Sequence, residues 1–366
     1  MSKIRFPAEF EKHDATLMIW PVRPGSWGKD PSGAQKAFVT LFKEILKSED
    51  LYVLFGRMTS SDIIDSLKEE LGDTNFDFVP LIIDSDDSWA RDTGPTFVYD
   101  DCELKGIDWG FNAWGGDYDG LYADYENDCN LARKFCEKID VESVDLTNFI
   151  LEGGSIHSDG QGTLMVTESC LLSQGRNPHM TREQIEERLM KTLGVTKVIW
   201  LPFGIKGDET NEHVDNICCF VRPGEVLMSW TDDVNDPQYE MCMANMRVFD
   251  EVTDAKGRKI KVHKLPLPEI PVVITEHDAA GYVYEEGEDT REVGEKLAAS
   301  YANFYITNGH VIVPQFGDPN DKVACDMLQQ LFPEREVYPI QARSIIVGGG
   351  NIHCITQQIP EGAKTL

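Results

Sequence analysis

Apolar residues recur at helical spacing in four stretches of this chain, with short unbroken apolar runs between them. Residues 33–48 place Phe38, Leu41, Phe42, Ile45 and Leu46 on one face of a helix. Residues 60–71 do the same with Ile63, Ile64, Leu67 and Leu71, and Gly72 stops them. Thr181 and Gln184 form a capping-box pattern ahead of Ile185, Leu189 and Leu193, with Gly194 as the stop. Residues 320–331 repeat the period with Val323, Met327, Leu328 and Leu331. Strands are expected over 51–55, 78–83, 197–201, 217–221 and 310–313, and over Ser344-Ile345-Ile346-Val347. The recurring order is strand, helix, strand, strand. No Gly-x-Gly-x-x-Gly follows a strand and opens a helix, so a plain dinucleotide-binding fold is not supported.

The chain has 366 residues and is 41% hydrophobic, enough for the core of one large domain or two ordinary ones. Lys and Arg total 34 against 63 Asp and Glu, a net charge of −29. Nucleic acid is therefore not expected as a partner, because phosphate binding needs a basic surface. An acidic field favours a cationic ligand, although the same balance also serves solubility. The nine cysteines are irregularly spaced with no Cys-x-x-Cys pair. That pattern fits neither a disulfide framework nor a thiolate zinc site, and it points to a reducing compartment. The first residues carry no apolar signal region, and no apolar run approaches the roughly 18 residues of a membrane span. A cytoplasmic protein without a membrane partner is expected.

Against this background the polar clusters stand out. Gly348-Gly349-Gly350-Asn351-Ile352-His353-Cys354 puts a thiol just past a glycine turn, where it can be held at the mouth of a site. Asp84-Ser85-Asp86-Asp87-Ser88-Trp89-Ala90-Arg91-Asp92 joins carboxylates to an indole. Such a set suits a planar guanidinium, which stacks on the ring and donates paired hydrogen bonds to one carboxylate. Glu152-Gly153-Gly154 sets a carboxylate at a strand end beside glycines that allow close approach. His213 and Asp215 share a face if their segment is extended, and they make a plausible acid–base pair. His213, Asp215, Cys354 and His353 do not have the spacing of a zinc site, so no metal is expected. His353 is expected to point away from Cys354 along an extended 351–356 and to be structural. A cysteine-nucleophile hydrolase is the leading reading.

The clusters keep a near-constant interval. Asp92 lies 60 residues before Glu152, Glu152 lies 61 before His213, and Cys354 follows after 141. A repeated unit that delivers one side chain each time to a shared centre would produce this spacing.

Taken in order, Trp20-Pro21-x-Arg23-Pro24, Trp89-x-Arg91-Asp92-x-Gly94-Pro95, Phe111-Asn112-Ala113-Trp114-Gly115-Gly116, Leu151-Glu152-Gly153-Gly154-Ser155, Glu209-Thr210-Asn211, His213-Val214-Asp215 and 348–358 resemble the agmatine deiminases. These are guanidine-modifying enzymes of the pentein fold. The resemblance implies an α/β fold, a five-bladed pseudo-symmetric propeller of ββαβ-type units, filling residues 1–366 as a single catalytic domain. It implies hydrolysis of agmatine without a cofactor, in a homodimer or larger homo-oligomer. It also implies Cys354 as nucleophile and His213 as acid–base, oriented by Glu152, with Asp92 and Asp215 gripping the guanidinium. Trp89, Trp114, Glu209 and Gly349 become substrate-binding candidates, and the acidic loop 84–87 is expected near the distal amine. One departure is Glu212, where many relatives have Gly before the histidine; it bears on the shape of that loop.

Other readings predict different behaviour. An arginine or peptidyl-arginine deiminase would need a cation for the substrate carboxylate, and an amidinotransferase would need a second amine to release the intermediate. A metal-dependent hydrolase would fail with a chelator and survive thiol alkylation. A polyamine-binding protein would bind agmatine without releasing ammonia.

Overall fold

Five sheets carry the fold in the computed structural model, which describes residues 3–362. All share one pairing plan, a strand, an antiparallel neighbour, a helical crossover and a parallel third strand, and in the first four a hairpin joins the first two strands. The first unit pairs Thr96–Asp100 with Glu103–Gly110, crosses through Leu131–Lys138 and returns as Glu142–Ile150. The second uses His157–Ser158, Thr163–Thr167, the helix Arg182–Leu193 and Lys197–Leu201. The third uses Cys218–Arg222, Glu225–Trp230, the helix Pro237–Glu251 and Lys261–Pro266. The fourth uses Tyr305–Ile306, His310–Gln315, the helix Asp321–Leu331 and Glu336–Gln341. The crossovers follow from the pairing, since hairpins join antiparallel neighbours but parallel ones need a dozen or more residues, usually a helix.

The fifth unit is made from both ends of the chain. Gln357–Pro360 pairs antiparallel with His13–Ile19, which continues through helix Ser32–Ile45 to the parallel strand Asp50–Phe55. A further helix, Ser61–Leu71, leads to the parallel edge strand Phe78–Ile82. Asp50–Phe55 is buried over Leu51 to Phe55, as its unbroken apolar run requires of a central strand.

The amphipathic helices form where their period placed them. Thr181 and Gln184 make the reciprocal capping box, and Gly194 ends that helix in the left-handed region. The run 344–347 forms no strand. It lies in a helical turn, Arg343–Ile346, following the strand Glu336–Gln341, with Ile345 and Ile346 buried. A four-residue apolar run has no period long enough to separate a buried turn of helix from a strand.

Just before the first strand of each unit the chain makes a short turn, and the polar clusters lie there. Asp92 sits in Ala90–Thr93, Glu152 precedes Gly153–Ser155, His213 precedes Val214–Ile217, and Cys354 precedes Gln357. The fourth unit supplies Asn303, before Tyr305–Ile306. The long interval from His213 to Cys354 is thus one further unit plus a segment between Lys261–Pro266 and Tyr305–Ile306 that adds no strand to any sheet.

Candidate active site

Gly154 marks the centre. A methyl group there would stand 2.6 Å from His213 Nδ1, 2.8 Å from Asp92 Oδ1 and 3.0 Å from Asp215 Oδ2. Only glycine lets three polar side chains converge on this backbone. Its N–H donates to Asp92 Oδ1 at 2.9 Å, and the Trp114 indole N–H donates to Asp92 Oδ2 at 2.9 Å. His213 Nδ1 lies 3.9 Å from Asp92, and its Nε2 lies 3.4 Å from Glu152. The Cys354 thiol lies 3.9 Å from Asp215 Oδ2. The structure thus brings Asp92, Glu152, His213, Asp215 and Cys354 together, all of them buried.

The segment carrying His213 and Asp215 is not extended. His213 caps a helical turn and Asp215 falls in its first turn, so the pair converges through the turn and not through strand alternation. His353 also departs from expectation. Residues 352–355 form a turn, and His353 faces Asp215 instead of pointing away.

Electrostatics differ sharply among these groups. Burial, with Asp215 and Asp92 nearby, pushes the Cys354 thiol well above its ordinary value. Burial pushes Asp92 up to about 6, against the pull of His213. Asp215 and Glu152 go the other way. Burial opposes their charge, yet His353 holds Asp215 low, and Arg176 with His213 holds Glu152 low. Burial also opposes a charge on His213, but Asp92, Cys170 and Glu152 raise it well above the usual imidazole range.

A narrow cleft opens over Cys354 and Asp92. Trp89, Trp114, Glu209 and Gly349 border it, and His213, Glu152 and Asp215 are not among its lining residues. The indole of Trp89 is fixed by a hydrogen bond to Asp87 and packs on Trp27, 5.2 Å between ring centres. Gly349 has φ +107, and a side chain there would collide with Glu209 and Arg291. The acidic loop is only partly at the cleft. Asp84 pairs with Arg57, and Asp86 accepts backbone hydrogen bonds from Asn127 and Asp128, leaving Asp87 as the one of these three that borders it. Asp84 and Asp86 are half-buried with structural donors close by, which the sequence run did not reveal. Glu209 borders the cleft but takes two hydrogen bonds from Arg291, at 2.8 and 2.6 Å.

Several neighbours carried no sequence signal beyond turn composition. Arg176 is buried, pairs with Glu152 at 2.8 Å and also donates to Asn211, Thr210 and the Trp114 carbonyl. Asn303 donates to Cys354 Sγ at 3.4 Å and accepts from the His353 backbone at 3.0 Å. Glu9 contacts His353 and Arg91. Two sets of potential metal ligands lie within 4.8 Å among the described residues, Glu9–His157–His353 and Glu152–Cys170–His213. Each has a guanidinium close by: Arg91 is 3.6 Å from Glu9 and Arg176 is 2.8 Å from Glu152, which makes them ion-paired networks.

Comparison with known proteins agrees along nearly the whole chain. The family described as Porphyromonas-type peptidyl-arginine deiminase matches residues 5–360. A Selenomonas ruminantium protein named "Putative agmatine deiminase" is 55% identical over 355 residues, 97% of this chain and 95% of that one. An agmatine deiminase of Pseudomonas aeruginosa is 48% identical over 361 residues, 98% of this chain and 96% of its own. Among solved structures, the agmatine deiminase of Enterococcus faecalis superposes with a TM-score of 0.92 at 42% identity, covering 99% of this chain and 97% of that one.

Proposed function

Because this chain belongs to the Porphyromonas-type peptidyl-arginine deiminase family, we propose a guanidine-hydrolysing function for it, that of an agmatine deiminase. It converts agmatine and water to N-carbamoylputrescine and ammonia. The observation that carries this reading is a buried thiol and a carboxylate, Cys354 and Asp92, bordering a cleft rich in acidic residues, with Asp215 against the thiol and a histidine with its own carboxylate packed beside them.

The cleft favours an amine over a carboxylate at the far end of the substrate. Asp87, Glu209, Glu288, Asp289 and Glu295 border it together with Asp92, against Arg23 and Arg291. Both arginines are already matched, Arg23 by Glu288 and Arg291 by Glu209. A free arginine would bring a carboxylate with no unmatched cation to receive it. Agmatine brings only an amine.

Asp92 and Asp215 grip the two edges of the guanidinium through charge-assisted hydrogen bonds and hold its carbon against Cys354. Asp215 Oδ1 is buried without a partner and is free to accept them. Burial first, and the two carboxylates with it, keep the thiol protonated; the arriving cation offsets the carboxylates, which couples thiolate formation to binding. Attack of sulfur on carbon gives a tetrahedral adduct. His213, charged, donates its proton to the departing nitrogen, which leaves as ammonia. An amidino-cysteine remains. His213, now neutral, takes a proton from water, whose oxygen bonds to the carbon as the C–S bond breaks. Glu152 and Arg176 orient His213 throughout.

The wider reading is that the five ββαβ sheets are the blades of a pseudo-symmetric propeller, that residues 1–366 form a single catalytic domain, and that the protein works as a homo-oligomer in the cytoplasm. Among the described residues no helix is long and apolar enough to cross a membrane.

The test is ammonia release from agmatine and from arginine, with and without Cys354→Ala. Release from agmatine, lost in the variant, is expected. Release from arginine alone would overturn the substrate, and turnover surviving in the variant would overturn the nucleophile.

A further inference from the structure

Behind the catalytic layer runs a buried chain of side chains that the scheme above does not use. His353 Nδ1 lies 2.8 Å from Asp215 Oδ2, and its Nε2 lies 2.7 Å from Glu9 Oε2. All three residues are buried. A carboxylate oxygen only accepts, and a neutral imidazole has a single N–H to donate. With Glu9 and Asp215 both held low and so ionised, the two contacts are satisfied together only if His353 carries two N–H groups, as the imidazolium.

We propose that Glu9 and His353 are positioning residues for the reaction: His353, clamped between two carboxylates, fixes Asp215 with one oxygen tied back and the other presented to the guanidinium. This rests on the agmatine reading for its substrate, but the clamp is a property of the fold. Asp92 is held in another way, by the neutral donors Gly154 N–H and Trp114 Nε1–H. One carboxylate of the grip is therefore hydrogen-bonded to a cation at its back, whereas the other has a cation, His213, only at 3.9 Å.

The surroundings of His353 are consistent with a fixed charge. Arg91 Nη2 is 3.6 Å from Glu9 and opposes the imidazolium. The His157 ring stacks on His353 at 6.3 Å, and burial holds His157 down to about 4, so it adds no second charge at neutral pH. Cys354 and Cys219, the nearby thiols, are pushed well above their ordinary range by burial and stay neutral. Burial and Arg91 work against protonation of His353, and Glu9 and Asp215 outweigh them. A small second cavity, sharing no lining residue with the cleft, is bordered by Glu9, Arg91, His157 and His353.

The test has two readouts on the whole protein. In ¹⁵N-histidine-labelled enzyme, the His353 ring is assigned among the eight histidines by its loss in His353→Gln. Both ring nitrogens are expected to be protonated at pH 7–8. In kinetics, His353→Gln is expected to lower kcat/KM for agmatine roughly 10- to 100-fold, chiefly through KM, because a grip moved slightly off line loses that much. The acid limb of its pH profile is expected to move to higher pH as Asp215 loses its cation. Glu9→Gln keeps size and fold and is expected to shift both readouts the same way by less. A neutral His353 with one N–H at pH 7 would overturn the proposal, as would a wild-type KM and pH profile in both variants. If the wild-type protein releases no ammonia from agmatine, the substrate reading falls, and the ring-nitrogen result alone decides the clamp.

Discussion

The two carboxylates of the grip share a task and titrate apart, because their neighbours differ. Burial opposes the charge of Asp215, yet His353 holds it below the usual carboxylate range, whereas burial raises Asp92 to about 6 with His213 its main cationic offset. Ionised Asp92 is needed to receive the cation, so kcat/KM for agmatine should rise with pH through about 6 and level off above it. Its stability effect has the opposite sign. A carboxyl whose folded pKa is raised binds its proton more tightly folded than unfolded. Its contribution is therefore full below the ordinary carboxylate value and is lost as pH rises from there through about 6. Activity and the Asp92 share of stability should cross in the same window, measured as initial rate and as unfolding midpoint from pH 4 to 8. An activity profile flat through pH 5–7 would remove Asp92 from this role. Residues like these were legible in the sequence because a thiol after three glycines, or a carboxylate before two, has few structural reasons to exist. Glu9, Arg176 and Asn303 were not legible. Each acts through a partner remote in the chain, 344 residues away for Glu9 and His353, and neither end alone has a pattern.

At the scale of elements, the turn before His213 shows what a local departure does. Asn211 and Glu212 both have positive φ, 62° and 69°, in the left-handed region where a side chain is strained. Glu212 is anchored there. Its carboxylate accepts from Gly204 N–H at 2.8 Å, and its carbonyl accepts from the Thr167 hydroxyl at 2.7 Å. The Glu212 side chain therefore points into a bond of its own and does not border the cleft. Glu212→Gly relieves about 1 kcal/mol of strain and loses one hydrogen bond of about the same size, so stability should change by less than about 1 kcal/mol. Glu212→Ala keeps the strain and loses the bond, and should cost about 1–2 kcal/mol. Denaturant midpoints of the two variants check this; equal loss in both would mean that strain is not what separates them. The elements read correctly from sequence were those with a full period or a cap, such as Arg182–Leu193. Those misread, 344–347 and the segment around Asp215, are single turns of helix, too short for any period to declare itself.

Across the whole molecule, the 60-residue interval reflected a real repeat, but its last step was hidden. The fourth unit delivers an asparagine, which sequence inspection passes over, and the segment before it stretches the spacing. That same segment supplies Tyr284, Glu288, Asp289 and Arg291 to the cleft. The fifth unit joins the two ends of the chain: Gln357–Pro360 pairs with His13–Ile19, and Glu361 N–H donates to the Lys12 carbonyl. Cys354 stands three residues before that closing strand, so its position depends on the ends meeting. Two changes should separate closure from chain order. A permutant that joins the ends by a short flexible linker and opens at the exposed Val234 keeps every pairing and should retain agmatine turnover within about tenfold. Deleting residues from Gln357 onward leaves His13–Ile19 an unpaired edge beside the nucleophile and should abolish turnover and lower the unfolding midpoint. An inactive but folded permutant would show that the order of the units, and not only their closure, sets the site.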